Sequence, residues 1–202
     1  MRIFSSLQPQ LPIIANGARR ILDLGCGDRT VFEYFQAPVM ACSDISCPES
    51  MAGRFHFTVC SAEHLDFADE VFDLIVCRVA IPYMLIPVAL REIHRVLAPG
   101  GKLWATLHLP RMAFRRIRAD IWRGDVKDIL FQSYVLLNCL LAHFLDFQLK
   151  WIDGHYESVQ TPFTMRRALK RAGFVDVITE IVPDAKLGRK HFGVQASASK
   201  QC

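Results

Sequence analysis

The sequence predicts an α/β fold, a mostly parallel sheet of seven strands with helices over both faces, closed by an antiparallel strand hairpin. Three observations carry that prediction. Short apolar runs recur at 21–24, 39–44, 55–60, 71–77 and 102–107, with helical patterns between them, and such alternation implies βαβ units whose strands are buried on both faces. The first run feeds directly into Gly25 and Gly27, glycines placed where a backbone must turn sharply or approach a ligand. The last two runs, 175–182 and 191–198, lie too close together for a crossover helix and so must pair antiparallel.

Size and composition agree with this. The chain has 202 residues, 51% of them hydrophobic and 22% charged, with a formal net charge of +4. That is enough chain for one well-formed core, and it falls short of the basic footprint of a dedicated nucleic-acid binder. Seven cysteines stand at 26, 42, 47, 60, 77, 139 and 202. Their odd number, the absence of a C-x-x-C pair and their place inside apolar runs point to free thiols in a reducing compartment, so a cytoplasmic location is expected. Gln8, Pro9, Gln10 and Pro12 interrupt any signal-peptide core. The most apolar segment, 129–149, carries Gln132, Ser133, Asn138, His143, Asp146 and Gln148, too polar a set for a membrane span.

Taken in order, residues 1–19 read as a leading arm. The strand 21–24 and its glycine turn follow, then a short helix at 30–36. The strand 39–44 ends in Asp44, 21 residues after Asp23. At that spacing an acidic residue closes the second strand of nucleotide-binding α/β folds and accepts ribose hydroxyls; the plainer role is a turn or cap aspartate. The strand 55–60 leads into Ser61-Ala62-Glu63. After the strand 71–77 comes a loop, Arg78 to Tyr83, at the carboxyl edge of the sheet. Apolar positions 88, 89, 90, 93, 96 and 97 mark one face of a helix, stopped at Pro99-Gly100-Gly101 before the strand 102–107. An arginine-rich stretch at 111–127, an apolar helix at 129–149 and a helix at 164–172 precede the closing strands.

The run Asp23-Leu24-Gly25-Cys26-Gly27 resembles the first cofactor-binding motif of class I S-adenosylmethionine-dependent methyltransferases, acidic-x-Gly-x-Gly-x-Gly, with Arg29 where the third glycine would stand. Ser61-Ala62-Glu63 resembles that family's adenine-edge run, with Ser61 at its acidic position. Phe72-Asp73 resembles its entry to the fourth strand, and Leu90 to Leu103 its helix–turn–strand. The resemblance covers 20–109 by motif and 161–198 by arrangement, and leaves out 110–160. It implies a single Rossmann-like domain over 1–202, with the arm at 1–19, a cofactor-binding core at 20–109, an acceptor-side insertion at 110–160 and a closing helix and hairpin at 161–202. It also implies S-adenosylmethionine as cofactor, S-adenosylhomocysteine as product, and a binding site drawn from Asp23, Gly25, Cys26, Gly27, Asp44, Ile45, Ser61, Ala62, Glu63 and Arg78.

Methyl transfer is an in-line displacement in which orientation alone supplies on the order of 7–11 kcal/mol, and the sequence holds no metal-ligand cluster or nucleophile elbow. A general base helps an acceptor that must lose a proton. His108 is the first candidate by position, with His155 and Tyr156 next; a histidine so placed also serves as a structural hydrogen-bonder. The acceptor is expected to be a partly hydrophobic small molecule held under 110–160. The arginines of 111–127 either form a solvated face or bind an anionic acceptor. The apolar face of 129–149 offers a second-subunit contact and hence a homodimer. Nucleic-acid acceptors are disfavoured, because only Ile81-Pro82-Tyr83 echoes the loop of exocyclic-amine enzymes and no Pro-Cys nucleophile occurs. Arg29 and Ser61 keep open a methyltransferase-like binding or scaffold protein without turnover. A nicotinamide dehydrogenase stands third, since its fingerprint needs glycine at Thr30.

Overall fold

The computed structural model describes residues 17–28, 30–32, 37–49, 56–108, 111–145, 147–184 and 189–198. The arm at 1–16, Arg29 and the end of the 30–36 helix therefore lie outside the described residues, as does the tip of the closing hairpin. The strands are β1 (Arg20–Leu24), β2 (Val39–Asp44), β3 (His56–Val59), β4 (Phe72–Arg78), β5 (Leu97–His108), β6 (Phe174–Asp184) and β7 (Arg189–Ala198). They form one sheet in the order β3-β2-β1-β4-β5-β7-β6. The first five pair parallel, and β7 inserts antiparallel between β5 and β6. The predicted seven-stranded α/β architecture with its antiparallel closing hairpin is the one observed.

Alternation along β1 divides the core in two. Leu22 and Leu24 join Ile75, Cys77, Leu103 and Ala105 on one face. Ile21 joins Cys42, Leu74, Val76 and Trp104 on the other. The first face is covered by α1 (Ile86–Val96) through Ala89, Leu90 and Ile93, and by α4 (Pro162–Arg171) through Met165 and Leu169. Pro87 presets the first turn of α1 and His94 and Arg95 complement its carboxyl end. β5 then begins with a bulge at residues 98–101, for Phe72 pairs with Leu97 but Leu74 with Lys102. The proline–glycine pair thus acts inside the strand entry, and α1 ends earlier than the apolar pattern suggests.

The insertion is a helical hairpin, α2 (Arg111–Arg123) and α3 (Val126–Phe144), joined at Gly124 and Asp125. The sequence places its second helix at 129–149; two polar residues shift it. Asp125 caps the amino end, its side chain accepting from the Asp128 N–H at 3.2 Å. Asn138 fastens the chain that follows the helix: it accepts from the Leu149 N–H at 2.8 Å and donates to the Leu149 and Glu157 carbonyls at 3.0 and 2.9 Å. Among the described residues no helix is long and apolar enough to cross a membrane.

A buried amide fastens this insertion to the sheet. Gln148 accepts from the Ile86 N–H at 2.8 Å and donates to the Met84 carbonyl at 3.2 Å. The Ser158 N–H donates to the Pro82 carbonyl at 3.0 Å. The segment 82–86, which follows β4, is therefore held from the insertion side.

Candidate cofactor-binding site

The order of strand succession reverses between β1 and β4: β2 and β3 run out to one side of β1, β4 and β5 to the other. Ligands of open α/β sheets bind beyond the strand carboxyl ends at such a switch point. A cavity of about 260 Å³ opens there, lined by Leu24 and Gly25 of the first turn, Asp44 and Ile45 after β2, Cys60, Ala62 and Glu63 after β3, and Ala80, Tyr83 and Met84 after β4.

Its floor is the glycine turn. Gly25 has φ +70° and Gly27 φ +56°, the left-handed region that side chains resist. A Cβ on Gly25 would stand 2.3 Å from the Ala80 Cβ, whereas one on Gly27 meets nothing within 4 Å. Gly25 thus lets β1 and the post-β4 loop close on each other at the cavity edge. The turn is pinned to β2 by the Gly25 N–H donating to the Ser43 carbonyl at 2.8 Å and the Gly27 N–H donating to Asp44 Oδ2 at 2.8 Å. Asp44 Oδ1 accepts from the Ile45 N–H at 2.7 Å. Each carboxylate oxygen keeps acceptor capacity beyond its one backbone bond, and Asp44 borders the cavity.

Asp23 lies beneath the turn, fully buried. Its Oδ2 accepts from the Val31 N–H at 2.8 Å and from an Arg78 guanidinium nitrogen at 3.2 Å. Burial raises its carboxyl above the usual range, against the opposing pull of Arg78 and of the Val31 bond. Glu63 serves the opposite wall: it accepts from the Leu85 N–H at 2.7 Å and from the Ser61 hydroxyl. Tyr83 lines the post-β4 side of the cavity, with Glu157 acting on it electrostatically. Burial pushes both groups up; the Glu157 carboxylate adds to the shift of Tyr83, and Arg116 opposes the shift in each. Glu157 immediately precedes Ser158, whose N–H is bonded beside Tyr83 at Pro82.

Residues 22–105 match a methyltransferase-domain family. The sheet order and the glycine turn at its switch point agree with that match. Residues 22–105 carry a methyltransferase domain with the class I, S-adenosylmethionine-dependent architecture. No curated protein matches the chain. Among solved structures, a Burkholderia thailandensis 1,6-didemethyltoxoflavin-N1-methyltransferase, seen with that compound and S-adenosylhomocysteine bound, is 16% identical, with 98% of this chain and 80% of that one covered and a TM-score of 0.63. A Mesorhizobium loti S-adenosylmethionine-dependent methyltransferase is 17% identical over 96% and 98%, with a TM-score of 0.64. The [4+2]-cyclase SpnF is 16% identical over 96% and 81%, with a TM-score of 0.59. At such identities the likeness is one of fold.

S-adenosylmethionine is the cofactor of this methyltransferase domain, and the residues present fit it: a carboxylate at the β2 end for hydroxyls, an apolar wall, and a turn without side chains. Of the site residues expected from sequence, Gly25, Asp44, Ile45, Ala62 and Glu63 border the cavity, and Gly27 is bonded to Asp44 at its rim. Asp23, Cys26 and Arg78 lie outside its lining, Cys26 buried against β2 and the other two joined under the turn. Ser61 directs its hydroxyl to Glu63. His108 ends β5 opposite His191 of β7, away from the cavity lining. His155 is exposed. Sequence reasoning passed over Leu24, Cys60, Tyr83 and Met84, although each follows or ends a parallel strand at its carboxyl end, the signal that would have found them.

Proposed function

We propose that the protein transfers the methyl group of S-adenosylmethionine to a small, partly hydrophobic acceptor that enters beside Tyr83. The observation that carries this reading is the cavity itself, with Asp44 and the glycine turn on one side and Tyr83, held by the insertion, on the other. When bound, the cofactor supplies a methyl carbon activated by its sulfonium. Asp44 would accept hydroxyl hydrogens of the ribose. Ala62, Cys60 and Met84 would flank the adenine. Gly25 and Gly27 would let the methionyl part approach the backbone, while Asp23 and Arg78 keep the turn in shape from below. Orientation between these walls is the main contribution to rate.

For an acceptor that loses a proton, Glu157, whose carboxyl burial raises and whose charge acts on Tyr83 of the cavity lining, would be the base. His108 would serve only an acceptor reaching across the β5 end. The second reading, binding without turnover, draws on Ser61, whose hydroxyl is committed to Glu63 and not to the cavity. One experiment separates the two: incubation with S-adenosylmethionine and a panel of apolar phenols, amines and carboxylic acids, with mass-spectrometric detection of S-adenosylhomocysteine and methylated product. Turnover on any panel member supports transfer. Tight binding of S-adenosylhomocysteine with no turnover across the panel favours the second reading.

A further inference from the structure

Thirteen of the nineteen exposed large apolar residues among those described fall between Phe114 and Phe163. On α2 these are Phe114, Ile121 and Trp122, at 59%, 60% and 85% of full exposure. Arg118 is four residues from both Phe114 and Trp122, so the three share a helix face, and Arg118 is exposed with them, as are Arg116 and Arg123. On α3 the exposed residues Val126, Leu130, Leu137, Leu140 and Phe144 recur at helical spacing along one stripe of the whole helix. Leaving so much apolar surface in water is costly, and patches of this extent mark interaction sites.

Charge decides what covers it. Residues 111–128 hold six cationic side chains and three aspartates, a net +3 out of the chain's +4. An isologous contact with a second copy would set the α2 arginines of one chain against those of the other. An anionic surface complements them. A helix with arginines among Trp, Phe and Ile is the pattern that lies in a lipid interface without spanning it. We propose that α2 and the outward stripe of α3 dock this protein onto an anionic lipid surface, with Trp122, Ile121 and Phe114 at the headgroup–acyl boundary and Arg118 and Arg123 among lipid phosphates. Arg116, two residues from Arg118 and so on another face of the helix, acts on Tyr83 and Glu157, which leaves the face of Phe114, Arg118 and Trp122 free for the lipid. The surface stands independently of methyl transfer.

The test is co-sedimentation of the full chain with phosphatidylglycerol vesicles and, in parallel, phosphatidylcholine vesicles. Binding to the first, weakened by salt, is expected. Arg118→Gln should lower partitioning about fivefold and Trp122→Ala about tenfold or more, with unchanged thermal midpoints. Brominated phosphatidylglycerol should quench the wild-type tryptophan emission, a readout that needs no variant, since Trp104 is buried and Trp151 half-buried. The proposal is overturned by equal binding to both vesicle types, by no binding at low salt, or by partitioning untouched by both substitutions. A dimer in light scattering that Trp122→Ala dissociates, without vesicle binding, would assign the face to a second copy.

Discussion

Replacing Gly25 by alanine tests the closure of the cavity floor. Two costs are separable. Forcing an alanine to φ +70° costs about 1–2 kcal/mol. The added Cβ stands 2.3 Å from that of Ala80, so β1 and the post-β4 loop must part, an overpacking cost of about 1–3 kcal/mol. Gly25→Ala should therefore destabilise by about 2–5 kcal/mol in urea denaturation. Gly27→Ala, with φ +56° and open space around it, should cost only the first, about 1–2 kcal/mol. Adding Ala80→Gly to Gly25→Ala removes the clashing methyl and should restore most of the difference. S-adenosylhomocysteine affinity should follow the same order, because Gly25 and Ala80 both line the cavity. Equal losses for the two alanines, or no recovery with Ala80→Gly, would refute the close approach.

Three further outcomes are expected. Asn138→Leu deprives the Leu149 N–H and the Glu157 carbonyl of their buried partner and should cost about 2–4 kcal/mol, read as a lower denaturation midpoint. Glu92 is bound by the Arg95 guanidinium at 2.9 and 2.8 Å and by the Leu65 N–H, which hold its carboxyl below its ordinary value of 4.5. A lowered pKa gives stability that is present above 4.5 and lost as pH falls through the folded value. Glu92→Gln should thus destabilise at neutral pH and progressively less in acid, checked by thermal melts across pH. Glu157→Gln should remove the rise in turnover as pH passes through the raised carboxyl value, leaving S-adenosylhomocysteine affinity unchanged in calorimetry.

The sheet was legible because buried parallel strands write themselves as apolar runs, and β2 matches its run residue for residue. The closing pair was legible from spacing alone. The helices of the insertion were placed less well, since their limits depend on Asp125 and Asn138, whose long-range bonds leave no periodic trace. The site divides along the same line. Glycines and an acid at fixed spacing signalled Gly25 and Asp44, local features of a turn. Tyr83 and Met84 reach the cavity only because Gln148 and Ser158, more than sixty residues on, fasten their segment. Asp23 shows the limit of a motif: its type is set by the turn it supports, and its Oδ2 is bonded to Val31 and Arg78 outside the cavity lining.

Calorimetric titration with S-adenosylhomocysteine, for wild type and Asp44→Ala, tests the cofactor site most directly. Asp44 borders the cavity and positions the Gly27 and Ile45 N–H groups, so its loss removes charge-assisted bonds worth about 1.5–3 kcal/mol. One-to-one binding by the wild type, stronger than that of NAD or ATP, with at least a tenfold loss in a folded Asp44→Ala, is the expected result. No binding of S-adenosylhomocysteine, or equal affinity in the two proteins, would contradict it.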